Sequence, residues 1–157
     1  MVPDLVYQPA MRMALKVITA CHRVVYAVSG RRVGWWLPGG ARTLWLTTTG
    51  RRTGQLRTVP LLSIRDGDTY VVTGSNGGQR RSPGWVANLR AQPLATIRVR
   101  NAELRVRADE VRDTVERELL YKSLTRAWHG YASYPRRAGD RQIPVFRLVP
   151  VDDQPDG

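Results

Sequence analysis

Arg51, Arg52 and Arg57 share the short stretch TTTGRRTGQLRTVPL (residues 47–61) with two glycines. A guanidinium is a planar fork of N–H donors that matches phosphate and carboxylate oxygens. Turns that glycine permits can aim backbone amides at an anion. The spacing is not that of a Walker loop, because Gly50 and Gly54 stand too close and no Lys-Ser/Thr pair follows the second glycine. A solubilising hairpin would explain one such turn, but a second follows. TGSNGGQRRSP (73–83) ends a strand with three glycines, adds Arg80 and Arg81, and runs into a helix start, which also favours negative charge. Two arginine–glycine turns on successive strands point to an anionic ligand.

The chain carries little else that does chemistry unaided. One cysteine, Cys21, excludes a disulfide framework and multi-cysteine zinc patterns. His22 and His129 lie far apart and no histidine–carboxylate cluster has ligand spacing, so no metal site is expected. No Ser-His-Asp arrangement is legible, and the acids fall on helix surfaces or in turns. If the chain is an enzyme, a bound cofactor supplies the reactive atom.

Lys plus Arg number 25 against 13 Asp plus Glu, a net charge of +12. That excess suits nucleic acid, an acidic membrane or an anionic small molecule. Lys16 and Lys122 are the only lysines, and high-GC codon usage also enriches arginine. Nucleic-acid binding would interleave aromatics with arginines on one sheet face. Here most tryptophans fall in helices or glycine-rich loops, so no nucleic-acid partner is expected.

Hydrophobic residues make up 42% of the chain, enough for one folded domain over 1–157 with a solvated tail, VDDQPDG, at 151–157. Residues 9–28 carry an apolar stripe of Leu15, Ile18, Cys21, Val25 and Val28 at helical spacing. The stripe reads as a helix lid over a sheet; the alternative is a basic amphipathic helix on an anionic membrane. A glycine-rich loop with Trp35 and Trp36 follows and completes the segment 1–40. ITAC (18–21) has the outline of a lipoprotein box, but Asp4 and Lys16 spoil the flanks of a signal peptide. No stretch is long and apolar enough to span a bilayer, and a cytoplasmic location is expected, with membrane association as the alternative.

From residue 42 the period is two. RTLWLTTT and LRTVPLLSI read as strands, and RDGD (65–68) supplies the Asp-Gly of a tight hairpin into TYVVTGS. SPGWVANLRAQP reads as a helix with Ser82 as N-cap, Pro83 at its first position and Pro93 as its stop. LATIRVR and ELRVRAD alternate about an Asn-Ala turn, with Ala95, Ile97, Val99, Leu104, Val106 and Ala108 facing the core. A helix over 110–127, a loop holding Tyr131 and Tyr134, and a strand over 143–150 complete the order α-βββ-α-ββ-α-β. That order predicts an α+β, mainly β fold: a split β-barrel of about six mostly antiparallel strands with N-terminal, middle and C-terminal helices.

TTTGRRTGQLRTVPL, VVTGSNGGQRRSPGWVANLRAQP and DRQIPVFRLVP, in order over about 42–150, resemble the deazaflavin (F420)-dependent nitroreductase and quinone reductase family. The resemblance implies a split barrel that binds coenzyme F420 and passes a hydride to an electron-poor acceptor such as a quinone, nitroaromatic or activated enone. It implies that Arg51, Arg52 and Arg57 hold the anionic tail and that Pro60, Leu61, Val72, Thr73, Gly74 and Ser75 line the ring, Ser75 near the reactive carbon. Gly77, Gly78, Trp85 and Asn88 would complete the pocket, although Trp85 equally suits a core. Tyr131 and Tyr134 match tyrosines that shape the substrate pocket and deliver a proton. His129, a lone loop histidine, is the weaker donor candidate. A non-catalytic cofactor- or lipid-binding barrel and a flavin mononucleotide enzyme remain the alternatives, and the chain is expected as a monomer or homodimer.

Overall fold

The computed structural model describes residues 41–151. The expected N-terminal helix, the Trp35–Trp36 loop and the tail lie outside the described residues. Six strands form a closed barrel in the order β1-β2-β3-β6-β5-β4, every neighbouring pair antiparallel. They are β1 (Arg42–Thr49), β2 (Leu56–Asp66), β3 (Thr69–Thr73), β4 (Leu94–Val99), β5 (Ala102–Glu110) and β6 (Val145–Pro150). Between them lie helices α1 (Gly84–Ala91), α2 (Thr114–Ala127) and α3 (Tyr134–Ala138). The expected split barrel is therefore present, and β4 closes it on β1 through Trp45↔Arg98 to Thr47↔Thr96.

Period-two patterning sorts the side chains. Leu44, Leu46, Val72, Ile97, Val106, Phe146 and Leu148 fill the barrel, with Trp85 and Leu89 of α1 among them. A second layer packs α2 on the outer face of β2, β3 and β6, joining Leu62, Ile64, Val71 and Val145 to Leu120 and Leu124. Arg147 of β6 fastens the layers, pairing with Glu116 of α2 and, at 2.7 Å, with Asp66 at the end of β2.

Several boundaries differ from the sequence reading, each for a local reason. The β4–β5 turn is Arg100–Asn101, one residue earlier than expected, with Arg100 itself left-handed at φ 56°. β5 runs on through Glu110, whose carboxylate accepts two hydrogen bonds from Arg90 of α1. Consequently α2 begins only at Thr114, and Asp113 caps it by accepting from the Glu116 amide at 2.8 Å. Ser82 does not cap α1; Pro83, extended at ψ 152°, holds that place. The expected Tyr131–Tyr134 loop is a 3₁₀ turn (His129–Ser133) running into α3.

Phe146 anchors this packing: it is 1% exposed and meets Trp85 at a ring separation of 5.6 Å. Replacing it with alanine leaves a cavity at the barrel centre, and urea denaturation of Phe146→Ala is expected to read a loss of about 3–5 kcal/mol.

Candidate functional site at the parting of two strands

The barrel has a seam. β2 and β3 pair only from Ile64↔Val71 to Asp66↔Thr69. Extending that register would set Leu61 opposite Gly74 and Pro60 opposite Ser75, but there the two strands part. The first half of β2 pairs with β1 alone among the described residues, and Val72 and Thr73 pair with β6. The two lips of the seam thus carry Pro60 and Leu61 on one side and Val72, Thr73, Gly74 and Ser75 on the other. A proline fits a strand that has a neighbour on one side only. Six of the expected ring-lining residues share this one feature.

On the β3 lip the chain turns sharply. Asn76, Gly77 and Gly78 are all left-handed, at φ 48°, 64° and 76°. The glycines were expected to admit a ligand, but two of them serve packing instead. A Cβ on Gly74 would meet Val86 at 2.6 Å and Pro144 at 2.8 Å, and one on Gly78 would meet Arg137 at 2.9 Å. Of the three, Gly77 alone has no described atom within 4 Å of where a Cβ would stand. Val72 and Trp85 likewise point into the barrel core. Thr73 is buried, and its hydroxyl donates to the Pro144 carbonyl at 3.0 Å.

Beyond the β2 lip stands the arginine turn. Gly50 closes it by donating to the Gln55 carbonyl at 2.8 Å and accepting from Gly54 at 2.7 Å. A side chain at Gly50 would meet that Gln55 oxygen at 2.9 Å, and Gly54 is left-handed at φ 70°. Asn88 of α1 ties the turn down: its Oδ1 accepts from the Arg51 amide at 3.2 Å, and its Nδ2 donates to Thr48 at 3.1 Å. Asn88 is therefore a buried strut for the turn. Arg51, Arg52 and Arg57 are exposed, and among the described residues none is paired with a carboxylate.

Tyr131 and Tyr134 fall in an aromatic cluster with Tyr121 and Trp128. Trp128 and Tyr131 meet edge to face at 5.0 Å, and Tyr131 and Tyr134 at 5.6 Å. Tyr131 is buried, Tyr134 half-buried, and His129 exposed. Tyr121 donates to the Tyr131 carbonyl at 3.0 Å. Burial pushes the Tyr121 phenol up to about 12, with Tyr134 adding to the rise and Arg141 opposing it. Burial also raises Tyr131. The 3₁₀ turn before Ser133 contacts the Asn76–Gly78 turn, so the cluster borders the β3 lip.

The family model of the F420H(2)-dependent quinone reductase matches residues 19–150. The chain belongs to that family. F420H(2)-dependent quinone reductases of Mycobacterium tuberculosis are 45% identical over 78 residues, 50% of this chain and 52% of theirs. The chain spans about half the length of these curated relatives. A solved F420-H2 dependent reductase (FDR-A) is 33% identical with a TM-score of 0.61, covering 68% of this chain and 92% of its own. A solved domain-swapped dimer is 28% identical with a TM-score of 0.63, covering 86% and 98%. The quinone reductase family match reaches upstream of the three sequence blocks, to residue 19.

Arg141 is the residue that sequence reading passed over. It lies in DRQIPVFRLVP, a block that carries the resemblance, where a lone arginine near a strand end has no local signal. In the fold its guanidinium reaches back to the β3 lip. Elsewhere, an open groove of about 680 Å³ lies between α1 and β5–β6, lined by Leu89, Pro93, Ala108 and Phe146 with Arg90 and Glu110 at its rim.

The raised phenols have a consequence for stability. The fold favours their neutral form, so this contribution is fully present below about pH 10, the ordinary tyrosine value. It is lost as pH climbs from there through the folded value, about 12 for Tyr121. Urea unfolding between about pH 9 and about pH 12 is expected to show falling stability, with a shallower fall in Tyr121→Phe.

Proposed function

We propose that the chain is a coenzyme F420-dependent reductase that passes a hydride to a quinone or similarly electron-poor acceptor. One observation supports this reading: the positions that the resemblance assigns to the ring lie on the two lips where β2 and β3 part. When bound, reduced F420 supplies the hydride. The remaining tasks belong to the chain.

The residues suit such a group. Arg51, Arg52 and Arg57 stand exposed on a braced turn without acidic partners among the described residues, as a clamp for a phosphodiester and an oligoglutamate tail requires. Pro60, Leu61 and the Val72–Ser75 lip offer a mixed apolar and backbone-polar cleft for a flat heterocycle. Ser75, buried at the end of that lip, orients the ring, and the surrounding apolar layer limits water at the reacting atoms. Tyr134, half-buried beside Tyr131, holds the proton for the reduced acceptor. Tyr131 packs behind it, where burial favours the neutral phenol. A homodimer is supported by the domain-swapped dimer among the solved relatives.

Fluorescence titration of the purified chain with oxidised F420, beside flavin mononucleotide, tests the cofactor. Saturable binding of F420 alone is expected, weakened about tenfold or more in the Arg51→Ala/Arg52→Ala/Arg57→Ala variant and less so in high salt. Reduction of a benzoquinone by F420-loaded protein then tests turnover. Binding without acceptor reduction would leave a cofactor carrier, and binding of flavin mononucleotide alone would overturn the cofactor assignment.

A further inference from the structure

Arg141 lies between α3 and β6 and makes no ion pair with a carboxylate among the described residues. Its donors all go to one loop, residues 74–82. Nε and Nη2 donate to the Gln79 carbonyl at 3.0 and 2.8 Å, and Nη2 also to the Ser75 carbonyl at 2.8 Å. Nη1 donates to the Gly74 carbonyl at 3.1 Å and to Ser82 Oγ at 3.3 Å. One half-buried guanidinium therefore gathers four acceptors across a left-handed turn. Three main-chain bonds, Gly74 N to Pro144 O, Gly78 N to Ser75 O and Gln79 N to Asn76 O, also hold that loop, together with Asn76 Nδ2, which donates to the Arg81 carbonyl at 2.9 Å.

A trans peptide points its carbonyl and its N–H in opposite directions. Drawing the Gly74 and Ser75 carbonyls onto Arg141 therefore turns the amides of Ser75 and Asn76 away from it. Neither amide makes a hydrogen bond among the described residues. They sit on the lip already assigned to the ring, at the end that borders the tyrosine cluster. Arginine alone has the planar fork for this task; a lysine ammonium offers three donors from a single point.

We propose that Arg141 is the positioning residue of the reactive lip. It fixes Ser75 and holds the Ser75 and Asn76 amides as preformed donors toward the polar edge of the bound heterocycle. This rests on the cofactor reading above, but the clamp itself is testable without cofactor. Amide hydrogen exchange on the ligand-free protein would compare wild type with Arg141→Lys and Arg141→Ala. Exchange over 74–82 is expected to quicken about tenfold in both variants, with the barrel strands unchanged. With F420 and a quinone, Arg141→Lys is expected to lose turnover number far more than F420 affinity. Guanidinium ion at low concentration should restore part of both loop protection and turnover in Arg141→Ala, and nothing in wild type.

Unchanged exchange and turnover in the variants would overturn the proposal. So would faster exchange throughout the barrel, which would make Arg141 a general prop of the fold. If wild type binds no F420, the cofactor reading falls and the lip loses its ligand. Loop exchange would still report whether Arg141 clamps it.

Discussion

A closed sheet satisfies every strand on both edges, and this barrel gives up part of that satisfaction at one seam. Beyond Ile64 and Val71, β2 and β3 stop pairing although each continues as a strand or lip for several residues. Unmade backbone hydrogen bonds at a partly buried seam are costly unless something replaces them. The surroundings show how the opening is held. Pro60 stands where a strand has one neighbour, Gly74 is pressed against Val86 and Pro144, and Thr73 spends its hydroxyl on Pro144. These contacts hold the two lips apart where the sheet stops pairing.

The rest of the molecule keeps the two lips in place from behind. Asn88 links α1 to the arginine turn at the far end of β2, and Arg141 gathers the turn after β3. Arg147 joins β6, α2 and the end of β2. Asn88, Arg141 and Arg147 therefore serve the scaffold, while Arg51, Arg52 and Arg57 stay exposed without carboxylate partners among the described residues. Exposed arginines without acidic partners contribute little to folding, and the proposed function gives their concentration on one braced turn a role in recognition.

Much of this was legible in the sequence. Alternation placed the inward faces of β4 and β5 correctly, and Asp66-Gly67 marked the β2–β3 hairpin, because those signals depend on local chemistry. Boundaries set by distant partners were not legible. Glu110 extends a strand because Arg90, twenty residues earlier, binds its carboxylate, and Ser82 is drawn from a capping role to Arg141. The glycines of TGSNGG read as room for a ligand, yet two of them make room for Val86, Pro144 and α3. Composition alone cannot tell a neighbour inside the chain from one outside it. Tyr131 and Tyr134 were expected in a loop, but Tyr131 lies in a 3₁₀ turn and Tyr134 opens α3, elements that the loop composition concealed. Arg141 stood in a recognised block and was passed over because a lone arginine near a strand end carries no local signal.

The claim that the β2–β3 seam is the ring site is tested most directly by hydrogen-exchange mapping of the chain with and without oxidised F420. The account predicts protection concentrated in residues 57–63 and 72–79, with the remaining strands unchanged. Protection confined instead to the groove beside Leu89, Pro93 and Phe146, with both lips exchanging as before, would contradict it.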